Sequence, residues 1–322
     1  MTTVMVTGVG AIIGYGILRA LRAGRPGLKL VAADIYPDAV GQVWADHFEP
    51  APLTASADYS SWLKDTINEH SVDLVIPGIE QDAHFLSDHR DDFTSTKLAL
   101  NNRALVDVCK DKLVLHDALA AHGEMSRIEC LTMGSYGALV SELGLPFILK
   151  PRKGYASKGI VKVADPADFA PHAERLGTVL IAQPFVGDDM EEYTVGAFGD
   201  GTGALLARIS MRRRLSAQGA TDKAWVVNDP TLDDVVERLF AIFRPVGPTN
   251  LQFRKAREGW KLLEINPRIS SSTSIRAAFG YNEAAMCVDY YLNDALVEQP
   301  TLRQGSANRY IEDWISYDRT DI

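Results

Sequence analysis

A polar face on one predicted hairpin carries the clearest potential for chemistry in this sequence. The run 250–268 has two alternating segments on either side of a polar turn near Glu258, the pattern of two antiparallel strands. In that register Gln252 lies across from Glu264, and Asn266 follows on the same face because strand side chains alternate. One carboxylate and two amides then offer oxygen ligands, which suit Mg²⁺.

The opposite face of the same hairpin is predicted to be apolar. Leu251 and Phe253 alternate on its first strand, and Leu263 and Ile265 on its second. An amphipathic hairpin is compatible with a metal site or with an ordinary solvated outer face. Other motifs in the sequence distinguish these two interpretations.

Composition restricts the class of protein. The chain has 322 residues, of which 46% are hydrophobic and 23% charged, as in a soluble globular protein of two or three domains. The net charge of −9 argues against a nucleic-acid partner. Three isolated cysteines favour a reducing compartment and no zinc site. No apolar stretch approaches the ~20 residues of a membrane span, and no signal-peptide pattern is present, so we expect a cytoplasmic protein without a membrane partner.

Alternating strands and helices predict a Rossmann-like parallel sheet over residues 1–108. Its first strand runs into Gly8, Gly10 and Gly14, and its second strand ends at Asp34. The spacing GxGxxxG differs from the GxGxxG of dinucleotide sites. The glycines are therefore compatible with tight packing or with contact to an anion, and an NAD(P) site is a further alternative.

A basic, glycine-containing loop joins two predicted antiparallel strands between Leu145 and Val163. Its basic residues are Arg152, Lys153 and Lys158, and the residues that can expose backbone N–H groups are Gly154, Ser157 and Gly159. Such a loop can fold over phosphate oxygens. An exposed basic hairpin without a ligand is the alternative.

Several other segments connect these motifs. Residues 103–122 are predicted to form one helix, and residues 179–186 a strand that leads into an acidic turn. The Ser/Thr run at 270–274 can cap a helix, or its N–H groups can bind a substrate carboxylate.

The order of these motifs resembles the ATP-grasp superfamily, and within it the carbamoyl-phosphate-synthase-like branch, over nearly the whole chain. The resemblance implies an α/β fold, α+β in the C-terminal part, with a Rossmann-like parallel sheet followed by a two-subdomain ATP-grasp fold. The implied units are an N-terminal domain at 1–108, a lid subdomain at 109–182 and a C-terminal subdomain with the metal site at 183–322.

The resemblance also implies an ATP site. The residues it assigns to ATP are Lys112, Lys150, Gly154, Ser157, Gly159, Gln183, Phe185 and Glu192. Lys112 and Lys150 would hold phosphates, and Gln183 and Phe185 would meet adenine. Glu192 would accept the ribose hydroxyls, with Glu191 as its competitor. Lys112 is also compatible with an ordinary surface charge.

The metal and catalytic residues follow from the same resemblance, and the ends of the first-domain strands together with the Ser/Thr run indicate the substrate residues. Gln252, Glu264 and Asn266 would bind two Mg²⁺ ions, with Mn²⁺ as a substitute. The residues expected to stabilise the transferred phosphoryl group are Arg268, Lys150 and Arg214. The residues expected near the substrate are Gly10, Glu80, Arg212, Ser271 and Ser272.

The implied activity is that of a carboxylate–amine ligase of amino-acid type. It would form an acyl phosphate from a small-molecule carboxylate, join it to an amine, and release ADP and phosphate. Carbamoyl-phosphate synthases carry a second arginine in their NARLSRSS motif, where this chain has Ser271, and they use two ATP-grasp units instead of one. Both differences favour a ligase over a short synthase-like enzyme that phosphorylates bicarbonate or carbamate.

Two readings from other classes remain open at this point. One is a Rossmann oxidoreductase that uses NAD(P) at the Gly8–Gly14 loop, and the other is a non-catalytic nucleotide-binding module. The oligomeric state also stays open, with a homodimer as one arrangement.

Overall fold

The computed structural model describes residues 1–154, 159–188, 191–216 and 219–315. Its strands form a five-stranded sheet, a three-stranded sheet and a six-stranded sheet in that order along the chain. The first sheet is parallel and the other two are antiparallel. The expected α/β fold, with an N-terminal Rossmann-like parallel sheet followed by further sheets, is confirmed.

The parallel sheet has the strand order β3-β2-β1-β4-β5. Its strands are β1 (Thr3–Thr7), β2 (Lys29–Asp34), β3 (His47–Pro50), β4 (Leu74–Pro77) and β5 (Lys97–Leu98). The helices between them are α1 (Ile12–Gly24), α2 (Tyr59–His70) and α3 (Glu80–Asp88). β1 and β2 are almost wholly buried, because helices cover both faces of a parallel sheet. α1 and α3 begin at the carboxyl ends of β1 and β4, where their first residues face the cavity described below.

Two helices, α4 (Arg103–Cys109) and α5 (Lys112–Ala121), replace the single helix predicted over 103–122. The helix breaks because Asp111 leaves helical geometry and caps α5, accepting the N–H of Leu113 at 2.9 Å. The break places Lys112 in the first turn of α5. Leu115 and Leu119 of α5 pack with the core of the six-stranded sheet.

The three-stranded sheet has the order β7-β6-β8. Its strands are β6 (Phe147–Pro151), β7 (Val161–Val163) and β8 (Leu180–Pro184), and its helices are α6 (Tyr136–Leu143) and the single turn α7 (Pro166–Phe169). A small apolar cluster that includes Phe147 and Leu149 fills the space between them. The division expected between residues 182 and 183 falls inside β8.

The six-stranded sheet has the order β13-β12-β9-β10-β11-β14. Its strands are β9 (Glu192–Asp200), β10 (Leu205–Leu215), β11 (Thr221–Val227), β12 (Val246–Ala256), β13 (Gly259–Asn266) and β14 (Ser306–Asn308). Its helices are α8 (Pro230–Phe243), α9 (Thr273–Ala278) and α10 (Glu283–Asn293). One apolar cluster joins α1 of the parallel sheet to α10 and β10, so the two large sheets share a core.

The predicted hairpin is formed by β12 and β13, with Gln252 directly across from Glu264. A β-bulge follows, because Phe253 pairs with Leu262 and leaves Leu263 as an extra residue. Leu262 therefore joins the apolar core, whereas the sequence pattern had placed Leu263 there. Leu263 lines a cavity on the opposite face instead.

A buried ion pair connects α9 to α10 beneath the six-stranded sheet. Arg276 and Glu283 are both fully buried, and their side chains meet at 3.1 Å. The Arg276 guanidinium also donates to Thr194 Oγ1 at 2.9 Å and to Asn250 Oδ1 at 2.6 Å. The pair thus holds the two helices against β9 and β12.

We predict that Glu283→Gln lowers the free energy of unfolding by about 3–5 kcal/mol, because it leaves the buried Arg276 charge uncompensated. Urea denaturation measures this change. The matched control is Glu191→Gln, since Glu191 pairs with Arg212 at 3.1 Å with both side chains at least 40% exposed. The control should cost about 0–1 kcal/mol. Equal losses in the two variants would contradict the assignment.

Candidate functional site

A cavity of about 590 Å³ lies where the three sheets meet. This volume falls within the ~300–1,000 Å³ of small-molecule binding sites. The loop after β4 and the start of α1 line one side, β6 and β8 another, and the polar face of β9, β12 and β13 the floor. Each sheet therefore contributes different side chains to one space.

The three oxygen-bearing residues of the hairpin all line this cavity. Asn266 Nδ2 donates to Glu264 Oε1 at 2.9 Å, and Gln252 lies directly across from Glu264. Arg268 continues the row by donating to Asn266 Oδ1 at 3.3 Å and to Glu80 Oε2 at 2.8 Å. A carboxylate beside two amide oxygens fits a hard cation such as Mg²⁺.

Lys150 enters the cavity from β6 and is only 6% exposed. Its ammonium forms no ion pair or hydrogen bond with the residues that the structure describes. Burial, and then the nearby positive charge of Lys112, lower the pKa of Lys150 to about 8. A buried ammonium without a partner is unfavourable. The Lys150 environment therefore favours an anionic ligand.

Lys112 also lines the cavity and donates to the carbonyl of Gly154 at 3.0 Å. Gly154 is a lining residue, whereas Gly159 is not. Ser157 lies outside the described residues. The two lysines are thus brought together from α5 and β6, with the beginning of the basic loop between them.

Arg152 does not have the phosphate-facing position that its place in the basic loop suggests. Its guanidinium binds the Asp111 carboxylate at 2.8 Å and the carbonyl of Gly177 at 3.1 Å. Burial alone would raise the pKa of Asp111, but hydrogen bonds from Arg152 and from backbone N–H groups lower it overall. The pair ties the base of the loop to the start of α5, which carries Lys112.

Aromatic and apolar side chains line the end of the cavity near β8. Phe185 lines it and carries the Lys162 ammonium 4.2 Å from its ring centre. Gln183 is buried, and its Oε1 has no hydrogen-bond partner among the described residues. Leu263 adds an apolar surface from the bulge. This end can hold a flat ring and bond it through a polar edge.

Glu192, and not Glu191, faces the cavity. Glu192 is 5% exposed, and Arg213 binds its Oε1 at 2.5 and 3.1 Å. Arg254 lies 4.0 Å from its other oxygen. Glu191 pairs with Arg212 at the surface.

The structure does not bring Arg212 or Arg214 to the cavity and places Arg213 there instead. Arg214 is exposed, and Arg212 lies over the Trp225 ring at 5.0 Å. The reason is strand alternation, because Met211 and Arg213 share the inward face of β10. The apolar alternation before them in the sequence was a signal that could have identified Arg213.

The residues expected at the substrate divide into two groups. Glu80 and Ser271 line the cavity. Ser272 does not line it, because its hydroxyl is buried 2.9 Å from Thr221 Oγ1. Gly10 does not line it either, and the following residues 11–13 do.

The glycine loop is built for close packing. A Cβ on Gly14 would lie 2.3 Å from the Gly8 carbonyl oxygen. The Asp34 carboxylate accepts the N–H groups of Gly10 at 2.7 Å and Tyr36 at 3.0 Å. Both oxygens of Asp34 are thus engaged within the loop, which favours the packing interpretation over a dinucleotide site.

Cys109 and Asn250 line the cavity, and the sequence reasoning assigned neither of them a role. Burial, followed by the charges of Glu264 and Glu80, raises the pKa of the Cys109 thiol. The thiol is therefore protonated at neutral pH.

The described part of the chain has no group of three or more His, Cys, Asp or Glu side chains placed to hold a metal ion. It also has no helix that is long and apolar enough to span a membrane.

Part of the chain matches a known protein family. Residues 179–314 match the family model for ATP-grasp in the biosynthetic pathway with Ter operon. Formate-dependent phosphoribosylglycinamide formyltransferase from Synechococcus sp. is 29% identical over 204 residues, which are 59% of this chain and 48% of that protein. The first three curated relatives are matched over 38%, 48% and 51% of their own length, about half or less.

Solved structures extend the likeness to almost the whole chain. N5-carboxyaminoimidazole synthetase from Staphylococcus aureus complexed with ADP superposes with a TM-score of 0.73 at 17% identity, covering 94% of this chain and 80% of that one. L-amino acid ligase from Bacillus licheniformis gives a TM-score of 0.67 at 15% identity, covering 91% and 74%. At these identities the likeness shows the fold.

We predict that Lys150 loses its proton near pH 8, compared with a usual pKa of 10.5. A pH titration of the lysine ¹⁵Nζ signals by NMR measures this, with Lys150→Arg identifying the resonance. Lys112→Met should raise the midpoint, because it removes a neighbouring positive charge. A midpoint above pH 10 in the wild-type protein would contradict the burial argument.

Proposed function

We propose that the chain is an enzyme of the ATP-grasp type and acts as an ATP-dependent carboxylate–amine ligase. One observation carries the proposal. The unpaired ammonium of Lys150 faces the cavity from one sheet, and Glu264 with its two amide neighbours faces it from another. A polyphosphate with bound Mg²⁺ would satisfy both groups at once.

We expect ATP to bind with its adenine ring at one end of the cavity and its phosphates at the other. Adenine would lie at the Phe185 end, where Gln183 Oε1 can accept from its amino group. Lys112 and Lys150 would bind phosphate oxygens, and Glu192 would accept ribose hydroxyls through the oxygen that Arg213 does not bind.

Gln252, Glu264 and Asn266 would hold the metal, and we propose that two ions bind there. An Mg²⁺ ion held by these residues would neutralise phosphate charge and help orient the terminal phosphoryl group. Arg268 lies next in the row and would stabilise the charge that develops during transfer. Its bond to Glu80 fixes the guanidinium in the cavity wall.

The proposed reaction has two steps. A carboxylate oxygen attacks the terminal phosphorus, the bond from phosphorus to the ADP oxygen breaks, and an acyl phosphate forms. The amine then attacks the acyl carbon, phosphate leaves, and the nitrogen loses a proton to give an amide. Water must be kept from the acyl phosphate between these steps.

The acid end of the cavity favours an organic acid over bicarbonate. The cavity is also lined by Ile12, Ile13 and Ile79, and by Ser270 and Ser271. Isoleucine side chains contribute binding energy only to a substrate with apolar surface. Two proteins that resemble this chain are named for carboxylic substrates, formate in one case and L-amino acids in the other.

Thermal shift and product release together test the proposal. Mg·ATP should raise the melting temperature, whereas NAD(P) should not; stabilisation by NAD(P) alone would overturn it. ADP release should then be screened over carboxylic acids paired with amines or ammonia. Release that requires bicarbonate and no other acid would support the synthase-like alternative.

We predict that Glu264→Gln reduces Mg²⁺-dependent ADP release by about 10²-fold or more, the loss expected for one preorganised electrostatic contact. Glutamine keeps the shape of the side chain and removes its charge, so the melting temperature should stay unchanged. Glu191→Gln serves as the control, because Glu191 is an exposed carboxylate that pairs with Arg212 and does not line the cavity. Full activity in Glu264→Gln would refute its metal role.

We predict that Mg·ATP binds most tightly below pH 8 and that its affinity falls up to about tenfold per pH unit above it. The sign follows from the lowered pKa of Lys150, because the free protein loses its ammonium proton above about pH 8 and must regain it to bind phosphate. Calorimetric titration at several pH values measures this. In Lys150→Arg the affinity should stay level over the same range, and an equally steep fall there would contradict the role of Lys150.

A further inference from the structure

Asn250 lies in the floor of the cavity and has no role in the proposal so far. It is fully buried and lines the cavity. Asn266 on β13 is its direct partner on one side, and Gly196 on β9 on the other. Asn250 and Gln252 share a strand face, so Asn250 lies one step further from the Phe185 end than the proposed metal ligand does.

The orientation of the Asn250 amide is decided by its neighbours. Arg276 Nη2 lies 2.6 Å, and Thr194 Oγ1 2.7 Å, from Asn250 Oδ1. A guanidinium can only donate hydrogen bonds, so the amide atom that faces it must be the oxygen. The reversed amide would set N–H groups against N–H groups. Asn250 Nδ2 is thereby directed away from Arg276.

Arg276 is itself held firmly in place. It pairs with Glu283 in a fully buried ion pair, and a Cβ on Gly196 would lie 2.6 Å from the guanidinium carbon. Glycine at this position leaves the space that the guanidinium fills. The Asn250 amide is therefore held in one orientation before any ligand binds.

The Nδ2 group of Asn250 is buried and has no hydrogen-bond partner within the described ranges. It carries two N–H donors in the wall of a cavity that Asn266, Arg268 and Ser270 also line. A buried donor without an acceptor destabilises the protein, and an anionic oxygen is the acceptor that it would bind most strongly. Asn250 pairs with Asn266, which accepts a hydrogen bond from Arg268, so Asn250 Nδ2 lies at the Arg268 end of the cavity.

We infer that Asn250 is a ligand-binding residue, whose amide N–H groups donate to an oxygen of the terminal phosphoryl group. Arg276 and Thr194 preset the amide for this contact by occupying its oxygen. The inference rests on the proposed function for the identity of the ligand. Asn250 would be a neutral donor in a site whose other proposed phosphate-binding side chains are Lys and Arg.

Asn250→Asp separates this role from a structural one. The aspartate still accepts from Arg276 and Thr194, so the buried network should be retained. It cannot donate, so the affinity for Mg·AMP-PNP should fall roughly tenfold or more, as for the loss of one hydrogen bond to a charged group. Calorimetric titration with Mg·AMP-PNP and with Mg·ADP measures this, and Mg·ADP should lose less than about threefold.

Asn250→Ala controls for the charge that aspartate adds, because it removes the donor without a new carboxylate. Weaker binding of Mg·AMP-PNP in both variants, with Mg·ADP little changed, supports the inference. A parallel loss for Mg·ADP overturns the assignment to the terminal phosphoryl group. Wild-type affinity in Asn250→Asp, or a loss in that variant alone, overturns it. A wild-type protein that binds neither nucleotide would instead overturn the proposed function together with this inference.

Discussion

Lys150 and Glu264 face one cavity from two different sheets, and the rest of the site depends on their separation. No ion pair forms between them in the described chain, although burial makes the Lys150 charge unfavourable and lowers its pKa to about 8. Lys150 projects from β6 and Glu264 from β13, which are strands of two different sheets. The free energy that an ion pair would have released is therefore available to a ligand that contacts both groups.

Two ionic contacts outside the cavity, one partly exposed and one fully buried, maintain this arrangement. Arg152 and Asp111 join the three-stranded sheet to the start of α5, and so set Lys112 beside Lys150. Arg276 and Glu283 hold α9 and α10 against the floor. Such pairs contribute little net stability but are costly to break, so they act mainly by specifying one arrangement. Rigid placement of charged groups is what phosphoryl transfer requires of a protein.

Local patterns predicted much of this from the sequence. The strand alternation in β12 and β13 placed Gln252 opposite Glu264, because the tight turn between the strands leaves few registers. The Rossmann-like sheet followed from apolar strands alternating with helices. The division of 103–122 into two helices was not predicted, because the Asp111 cap is stabilised by Arg152, 41 residues away. Lys150 was recognised because a lysine on an apolar strand is unusual without an anionic partner.

The sequence by itself determined the kinds of chemical group present and their spacing along each strand, since the two-residue period of a strand is a local property. Tertiary structure decided which groups share the cavity. Leu263 turns to the cavity because of a bulge in the pairing of β12 with β13. The Asn250 amide is oriented by Arg276 from a helix that follows the hairpin. Each of these depends on contacts between distant segments, which no local pattern contains.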